Sequence, residues 1–430
     1  MNTIESSDNF SRRQFMKTAA RGSLFTLGMG PLSSTALKAL EQIDSMMITK
    51  IEAVRFNDKI NIGGGSGGSG KAEFCWVRLH TDQGLIGTGE TYPFSNGELG
   101  TLKDYADELI GKDPRDIDGL WKRLYHNMSM RNAGGADMRI ISAINMAQLD
   151  VLGQASELPL YRLLGGKTRN SVKVYNTTTD YWAINNMKMG PDTGSIVKFL
   201  LERGIKAMKI YPFHADGPYI TANEIDKGLA WIHKIREVAG NEMDICVDCW
   251  GRFDLPGAQR IAKALEPYNI LYLEDVMLMN NAKSYSILAN ETSVPICMSE
   301  TLATRYEYRE FLESGACDVI MYDLTWCGGI SEAKKISDMA DTYFIPTSPH
   351  TCGGPLLWFA SIHLCTALSN FLIMESNYWK YTHQYPYFIN NVPVPDSGYV
   401  APPELPGLGA EINPKILKNG DAIIETVAEI

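Results

Sequence analysis

Three short apolar runs in the middle of the chain each end on an acid: ICVDCWGRF carries Asp248, ILYLEDVM carries Glu274 and PICMSET carries Glu300. The two intervals are equal at 26 residues, about the length of one strand with its covering helix and loops. Acids so spaced recur at equivalent ends of neighbouring parallel strands, where they converge. Three converging carboxylates repel one another unless a cation lies between them, and hard oxygen ligands with no accompanying Cys/His set suit Mg2+ better than Zn2+. One such acid is more simply a solvated loop residue; three in register are read as metal ligands. The nearby Cys246 and Cys249 offer no rival site, because three positions apart on a strand they face opposite ways.

The elements that must position these acids follow from periodicity. From Val172 onward, VKVYNT, AMKIYPF, DICVDCW, ILYLED, PICMSE, DVIMYDL, YFIPTSPH and FLIMES are strand candidates, separated by helical stretches such as GSIVKFLLERG and ISEAKKISDMADT. Such alternation predicts a parallel sheet with helices outside, and eight repeats close an α/β barrel of the (β/α)8 kind over 171–380. Residues 46–170 mix the strands ITKIEAVRF, EFCWVRLHT and IGTGETY with three helical segments, the last running from Ile141 to a stop at Gly165 and Gly166. The glycine-rich stretch from Gly63 to Gly70 lacks the Lys-Ser/Thr of a phosphate loop and is read as a mobile lid. Residues 381–430, aromatic and rich in Pro and Gly, are expected to run back across the first domain.

At 430 residues and 45% hydrophobic content the chain can bury the cores of two domains. Its 40 basic and 50 acidic residues give a net charge of −10, which argues against a nucleic-acid partner. The eight cysteines are scattered, several within apolar runs, and read as buried thiols rather than a disulfide framework. Residues 1–45 resemble a twin-arginine export signal: Arg12 and Arg13 are followed by Phe15, Lys17 and a moderately apolar stretch. A periplasmic product is expected, or a cytoplasmic one if translation starts at Met46 or Met47. Elsewhere the most apolar segment, Pro355 to Leu368, is interrupted by His363 and too short to span a bilayer.

From about Ile48 to Leu417 the chain resembles the mandelate racemase/muconate lactonizing enzyme group of the enolase superfamily. In character it is nearest to acid-sugar dehydratases of the galactonate type. The resemblance rests on ITKIEAVRF, GETY, AINMAQLDVLGQ with LPLYRLLGG, the carboxylate series, DLTWCGGISEAKKIS, SPHTCGGP, IMES and PGLG. It implies a modified barrel under an α+β capping domain, one Mg2+, a sugar-acid substrate, and proton abstraction next to its carboxylate; a homo-oligomer is expected.

The residue chemistry agrees. An α-proton of a carboxylate is far too weakly acidic for a neutral-pH base unless the enediolate is stabilised, which a divalent ion can do. His350, ending the seventh strand, has an ordinary pKa of about 6.5 and can take that proton; Asp323, ending the sixth, would orient its ring. A lone His beside Pro is more often structural, but an acid one strand away makes His350 the base candidate. By resemblance Glu375 approaches the substrate carboxylate, either protonated or through a partner; its plainer reading is a polar strand terminus. Lys209 and Tyr211, two apart on the second strand, should both face the barrel. Relatives often carry Lys-x-Lys here; Tyr211, with an ordinary pKa of about 10, is a poor base but a workable hydrogen-bond donor. Relatives place Asn or His two residues past the first ligand, where this chain has Trp250, read as shaping the pocket or simply packing. His214, Arg252 and Trp326 complete the substrate-contact candidates.

One base and no opposing lysine favour one-sided chemistry: syn dehydration of an acid sugar to a 2-keto-3-deoxy acid. His350, once protonated, would return its proton to the leaving hydroxide, with Tyr211 or His214 as alternatives. A cycloisomerase or epimerase would use the same enediolate. A non-catalytic exported sugar-acid binder is the rival from another class, and it would need no base beside a metal.

Overall fold

The computed structural model describes residues 45–57, 60, 72, 74–92, 96–127, 134–178 and 184–430. Arg12, Arg13 and the glycines from Gly63 to Gly70 lie outside them.

The first apolar runs form an antiparallel meander, β1 (Ile48–Phe56), β2 (Cys75–Thr81) and β3 (Ile86–Thr91), turning at Gly84 with φ +76°. The last strand of the chain, β11 (Ala422–Glu429), pairs antiparallel with β1 and completes the order β11-β1-β2-β3. Three helices accompany this sheet: α1 (Asn96–Leu109), α2 (Ile117–Asn127) and α3 (Gly135–Ser156). Contact with α3 requires glycine in β3, since a Cβ at Gly89 would lie 1.8 Å from the Ala143 carbonyl oxygen and one at Gly87 2.0 Å from that of Ala147. The helix expected to reach Gly165 breaks instead at Ser156, where Glu157 turns left-handed, and α4 (Leu160–Leu163) begins afresh after Pro159. Proline has no N–H to continue the ladder and pushes the residue before it out of the helical region.

The barrel is parallel: β4 (Val172–Thr177), β5 (Ala207–Ile210), β6 (Asp244–Asp248), β7 (Tyr272–Glu274), β8 (Ile296–Met298) and β9 (Val319–Ile320) follow in order. β10 (Met374–Ser376) pairs with β4. The seventh strand is reduced to bridges: Thr347 pairs with Ile320 and Phe371, and His350 with Asp323. Pro346 and Pro349 remove two of the N–H groups a continuous ladder would need. Pro212 has the same effect on the second strand, which stops at Ile210 and leaves Tyr211 just beyond it. Outside the strands lie α5 (Thr193–Leu201), α6 (Ala222–Ala239), α7 (Leu255–Leu265), α8 (Ala282–Glu291), α9 (Thr304–Glu313), α10 (Ile330–Asp341) and α11 (Pro355–Ala367). The whole is a modified (β/α)8 barrel with an α+β capping domain. Cys246, Tyr272, Cys297, Val319 and Met321 pack together, whereas Cys249 belongs to the larger surrounding core, so the C-x-x-C pair does diverge. All eight cysteines keep their thiols, and all but Cys352 are buried. Among the described residues, no helix is long and apolar enough to cross a membrane.

Every residue of α11 is buried, so its free N–H groups must find partners inside the protein. Glu90 of β3 supplies them: Oε1 accepts from Gly354 N (2.8 Å) and Leu357 N (3.1 Å), while Oε2 accepts from Leu356 N (3.1 Å) and Trp76 Nε1 (3.1 Å). Pro355, in the first turn, has no donor to satisfy. The far end is tied by His363, whose Nδ1 accepts from Tyr161 N at 3.2 Å and whose Nε2 donates to Leu408 O at 3.0 Å.

Two outcomes follow for stability. Glu90→Ala strands three backbone donors and an indole in the interior at about 1–3 kcal/mol each, so a urea titration should show a loss of roughly 3 kcal/mol or more. Burial lowers the His363 pKa from 6.5 to about 4, so between those values acid protonates the unfolded chain but not the folded one. Its contribution is present above pH 6.5 and lost as the pH falls toward 4, at most about 3 kcal/mol. Melts of the wild type and His363→Gln across that window should differ in slope, the wild type losing more stability as acid is added.

Candidate active site

The ends of the barrel strands bring the sequence-predicted residues together around two basic groups. Lys209 of β5 is fully buried, with Nζ 2.8 Å from Glu274 Oε1, 3.3 Å from Glu375 Oε1 and 3.5 Å from Asp248 Oδ2. Burial opposes its charge, but Glu274 and Glu375 outweigh it and hold the ammonium well above its usual pKa. His350 Nδ1 lies 2.7 Å from Asp323 Oδ2, and Nε2 lies 2.8 Å from Glu300 Oε2 and 3.4 Å from Glu375 Oε2. The Asp323 carboxylate is pinned in turn, Oδ1 accepting from Thr325 N at 2.7 Å and Thr325 Oγ1 at 2.6 Å. Burial disfavours the imidazolium, yet Glu300, Glu375 and Asp323 together raise the His350 pKa well above its ordinary value.

Glu375 departs from one half of its expectation. Burial would raise its pKa, but His350, Lys209, the Thr177 hydroxyl and the Thr351 N–H drive it down to about 2, so the protonated form does not hold. Its carboxylate is fixed by Thr177 Oγ1 and by Thr351 N at 2.8 Å, leaving Lys209 as the group through which it reaches an anionic ligand.

Asp248, Glu274 and Glu300 occupy successive strand ends. Burial lifts the Asp248 pKa to about 6 and that of Glu274 well above the carboxylate range. Glu300 moves the other way, since His350 overcomes its burial. Sequence reasoning missed Asp275, the second acid of the ED pair. Strict alternation would turn it away from Glu274, but a φ of +41° redirects it, and Oδ2 accepts from Ser299 Oγ at 2.8 Å. Asp248 Oδ2, Glu274 Oε2 and Asp275 Oδ1 are buried without a hydrogen-bond donor. Orphaned anionic oxygens in an interior are costly unless a cation balances them, so this donor set fits a hard divalent ion. The expectation that no Cys/His set lies nearby fails in three dimensions: donor atoms of His350, Cys352 and Glu375 fall within 4.8 Å of one another.

Two aromatic groups line the mouth. Trp250 turns left-handed at φ +53°, its N–H donates to Asp248 Oδ1 at 2.8 Å, and its side chain is exposed rather than inward-facing. Its ring lies 5.0 Å from that of Tyr211 and 5.2 Å from the Arg252 guanidinium, which in turn meets His214 Nδ1 at 3.2 Å. Opposite them, Trp326 sits 6.5 Å from His350 and 4.7 Å from Tyr92, with Arg139 over both of these aromatic rings and paired to Glu98 at 3.1 Å. Tyr92, Glu98 and Arg139 belong to the capping domain and went unread in the sequence. Only docking of that domain on the barrel brings them to the mouth. The Trp326 Nε1 is buried and has no protein acceptor.

Comparison with known proteins agrees with this architecture. Residues 50–165 match the family described as mandelate racemase/muconate lactonizing enzyme, N-terminal domain, and residues 195–416 match enolase C-terminal domain-like. A D-galactonate dehydratase of Pectobacterium atrosepticum is 32% identical over 353 residues, 80% of this chain and 90% of that one. A D-xylonate dehydratase of Haloferax volcanii is 30% identical over 358 residues, 80% of this chain and 84% of that one. A solved enolase of the mandelate racemase subgroup from Agrobacterium tumefaciens superposes with a TM-score of 0.78 at 34% identity, covering 89% of this chain and all of that one. With both domains matched and the strand-end residues assembled on one barrel, the chain belongs to the mandelate racemase/muconate lactonizing enzyme group of the enolase superfamily.

Proposed function

We propose that the protein is a Mg2+-dependent acid-sugar dehydratase that removes the proton alpha to a carboxylate and eliminates the 3-hydroxyl, giving a 2-keto-3-deoxy acid. The observation that carries this reading is the buried set of carboxylate oxygens without hydrogen bonds beside the Asp323–His350 pair. Relatives that act on galactonate and xylonate point to the same substrate class. Asp248, Glu274 and Glu300 would hold the cation, with Asp275 adding charge behind them. When bound, that ion supplies positive charge to the enediolate and offsets the carboxylates that otherwise keep His350 protonated.

The protein's own groups then do the proton work. His350 Nε2 takes the α-proton, and Asp323 keeps Nδ1 protonated so that Nε2 carries the free lone pair. Lys209, fixed as a cation, faces the developing negative charge, and Glu375 holds Lys209 in place. Trp250 has no proton to offer at the position where relatives carry His, so the leaving hydroxide takes its proton from His350. Tyr211 remains a donor rather than a base, because burial raises its pKa well above 10.

Incubation with a panel of acid sugars that includes galactonate and xylonate should yield a semicarbazide-reactive product. Chelation should abolish turnover and added Mg2+ restore it. His350→Asn should lower kcat by about 10²–10⁴-fold. Exchange of the α-proton with solvent deuterium, without a keto product, would replace this reading with an epimerase. Ligand binding without either reaction would favour a binder. We also propose export through the twin-arginine-like segment; mass measurement of the mature N-terminus from a periplasmic fraction should find Arg12 and Arg13 removed, whereas a cytoplasmic product beginning at Met46 or Met47 would contradict it.

A further inference from the structure

We infer that the active-site mouth holds a second cation site, built from His350 Nε2, Cys352 Sγ and the Glu375 carboxylate, that takes a borderline-soft ion such as Zn2+ or Co2+ and switches the enzyme off. Donor atoms of the three side chains already lie within 4.8 Å of one another. Nε2 and Glu375 Oε2 are 3.4 Å apart, about the edge of a tetrahedron with metal–ligand bonds of roughly 2.1 Å. Glu300 Oε2, 2.8 Å from Nε2, is the nearest further oxygen donor.

The supporting contacts are those a bound transition metal needs. Asp323 accepts from Nδ1 and so directs the Nε2 lone pair outward, as a carboxylate behind a zinc-bound histidine does. Thr177 Oγ1 and Thr351 N hold Glu375. The Cys352 backbone is braced by Lys380 Nζ, which donates to Cys352 O at 2.8 Å and Gly353 O at 3.0 Å. Charge favours a second ion as well: Asp248, Glu274, Asp275, Glu300, Asp323 and Glu375 face Lys209 and His350, six formal negative charges against two positive, and one divalent ion offsets only half of the excess. A thiolate donor selects against Mg2+ and for Zn2+ or Co2+. Binding releases the Cys352 thiol proton to solvent and occupies the imidazole nitrogen that would take the proton of a substrate.

The test uses the full chain in excess Mg2+, so that the carboxylate site stays filled. Added Co2+ should produce a sulfur-to-metal charge-transfer absorption at one equivalent, and Cys352→Ser should lose that band. Loss of even an outer-shell partner weakens metal binding about 10–100-fold, so the serine variant should bind Zn2+ at least tenfold more weakly in calorimetry. With galactonate as substrate, the Zn2+ concentration that halves turnover should be at least tenfold higher for Cys352→Ser than for the wild type, each referred to its own rate in Mg2+ alone. Cys352→Ala provides a second variant if the serine form does not fold. A Co2+ spectrum without the sulfur band, or equal Zn2+ affinity in wild type and variants, would overturn the proposal. The spectrum and calorimetry read the site even if galactonate is not a substrate, so failure of the dehydratase reading is a separate result.

Discussion

A fully buried lysine surrounded by carboxylates is the constraint on which the rest of this structure turns. Lys209 touches Glu274, Glu375 and Asp248 at once, and none of these charges could sit in the interior without the others. Much of the surrounding chemistry serves to hold them. Thr177 and Thr351 fix Glu375, Thr325 fixes Asp323, and Ser299 fixes Asp275. Counted as formal charges, the negative side chains still outnumber the positive ones, an imbalance that a bound cation would offset.

The barrel alone does not hold its seventh strand end in place. His350 lies in a stretch too interrupted by proline to form a ladder, and the loop after it is clamped from outside: Glu90 caps the following helix, and Lys380 and Tyr385 bond the carbonyl oxygen of Gly353. The neighbouring strand end is tied to the capping domain too. Trp121 Nε1 donates to Gly328 O at 2.8 Å, Ser142 Oγ accepts from Gly328 N, and a side chain at Gly329 would collide with Asn145. Capping domain and barrel therefore share the task of positioning His350 and Asp323, and the same docking carries Tyr92 and Arg139 to the mouth.

Within that frame the mouth departs from the pattern of relatives with Lys-x-Lys and a His after the first ligand. Tyr211 and Trp250 stand there instead, in contact with each other. Neither is a base at neutral pH, which leaves His350 as the base candidate under the proposed reading. Under that reading, the asymmetry favours elimination over the two-base exchange a racemase would need.

Much of this was legible in the residues themselves. The equal spacing of Asp248, Glu274 and Glu300 and the alternation of strand and helix after Val172 predicted the barrel, because hydrophobic periodicity and loop length are local properties. His350 and Asp323 could be paired on the same logic, each ending a predicted strand. What sequence could not supply was whatever depends on a backbone torsion or a distant contact. Asp275 turns inward only because its φ is positive, Trp250 turns outward for the same reason, and Glu375 is ionised only because Lys209 and His350 crowd it. Cys352 looked like one more scattered thiol until the fold set it beside His350 and Glu375. Local pattern determines which elements form, whereas charge state and convergence are set by neighbours far away in the chain, which only the tertiary structure brings together.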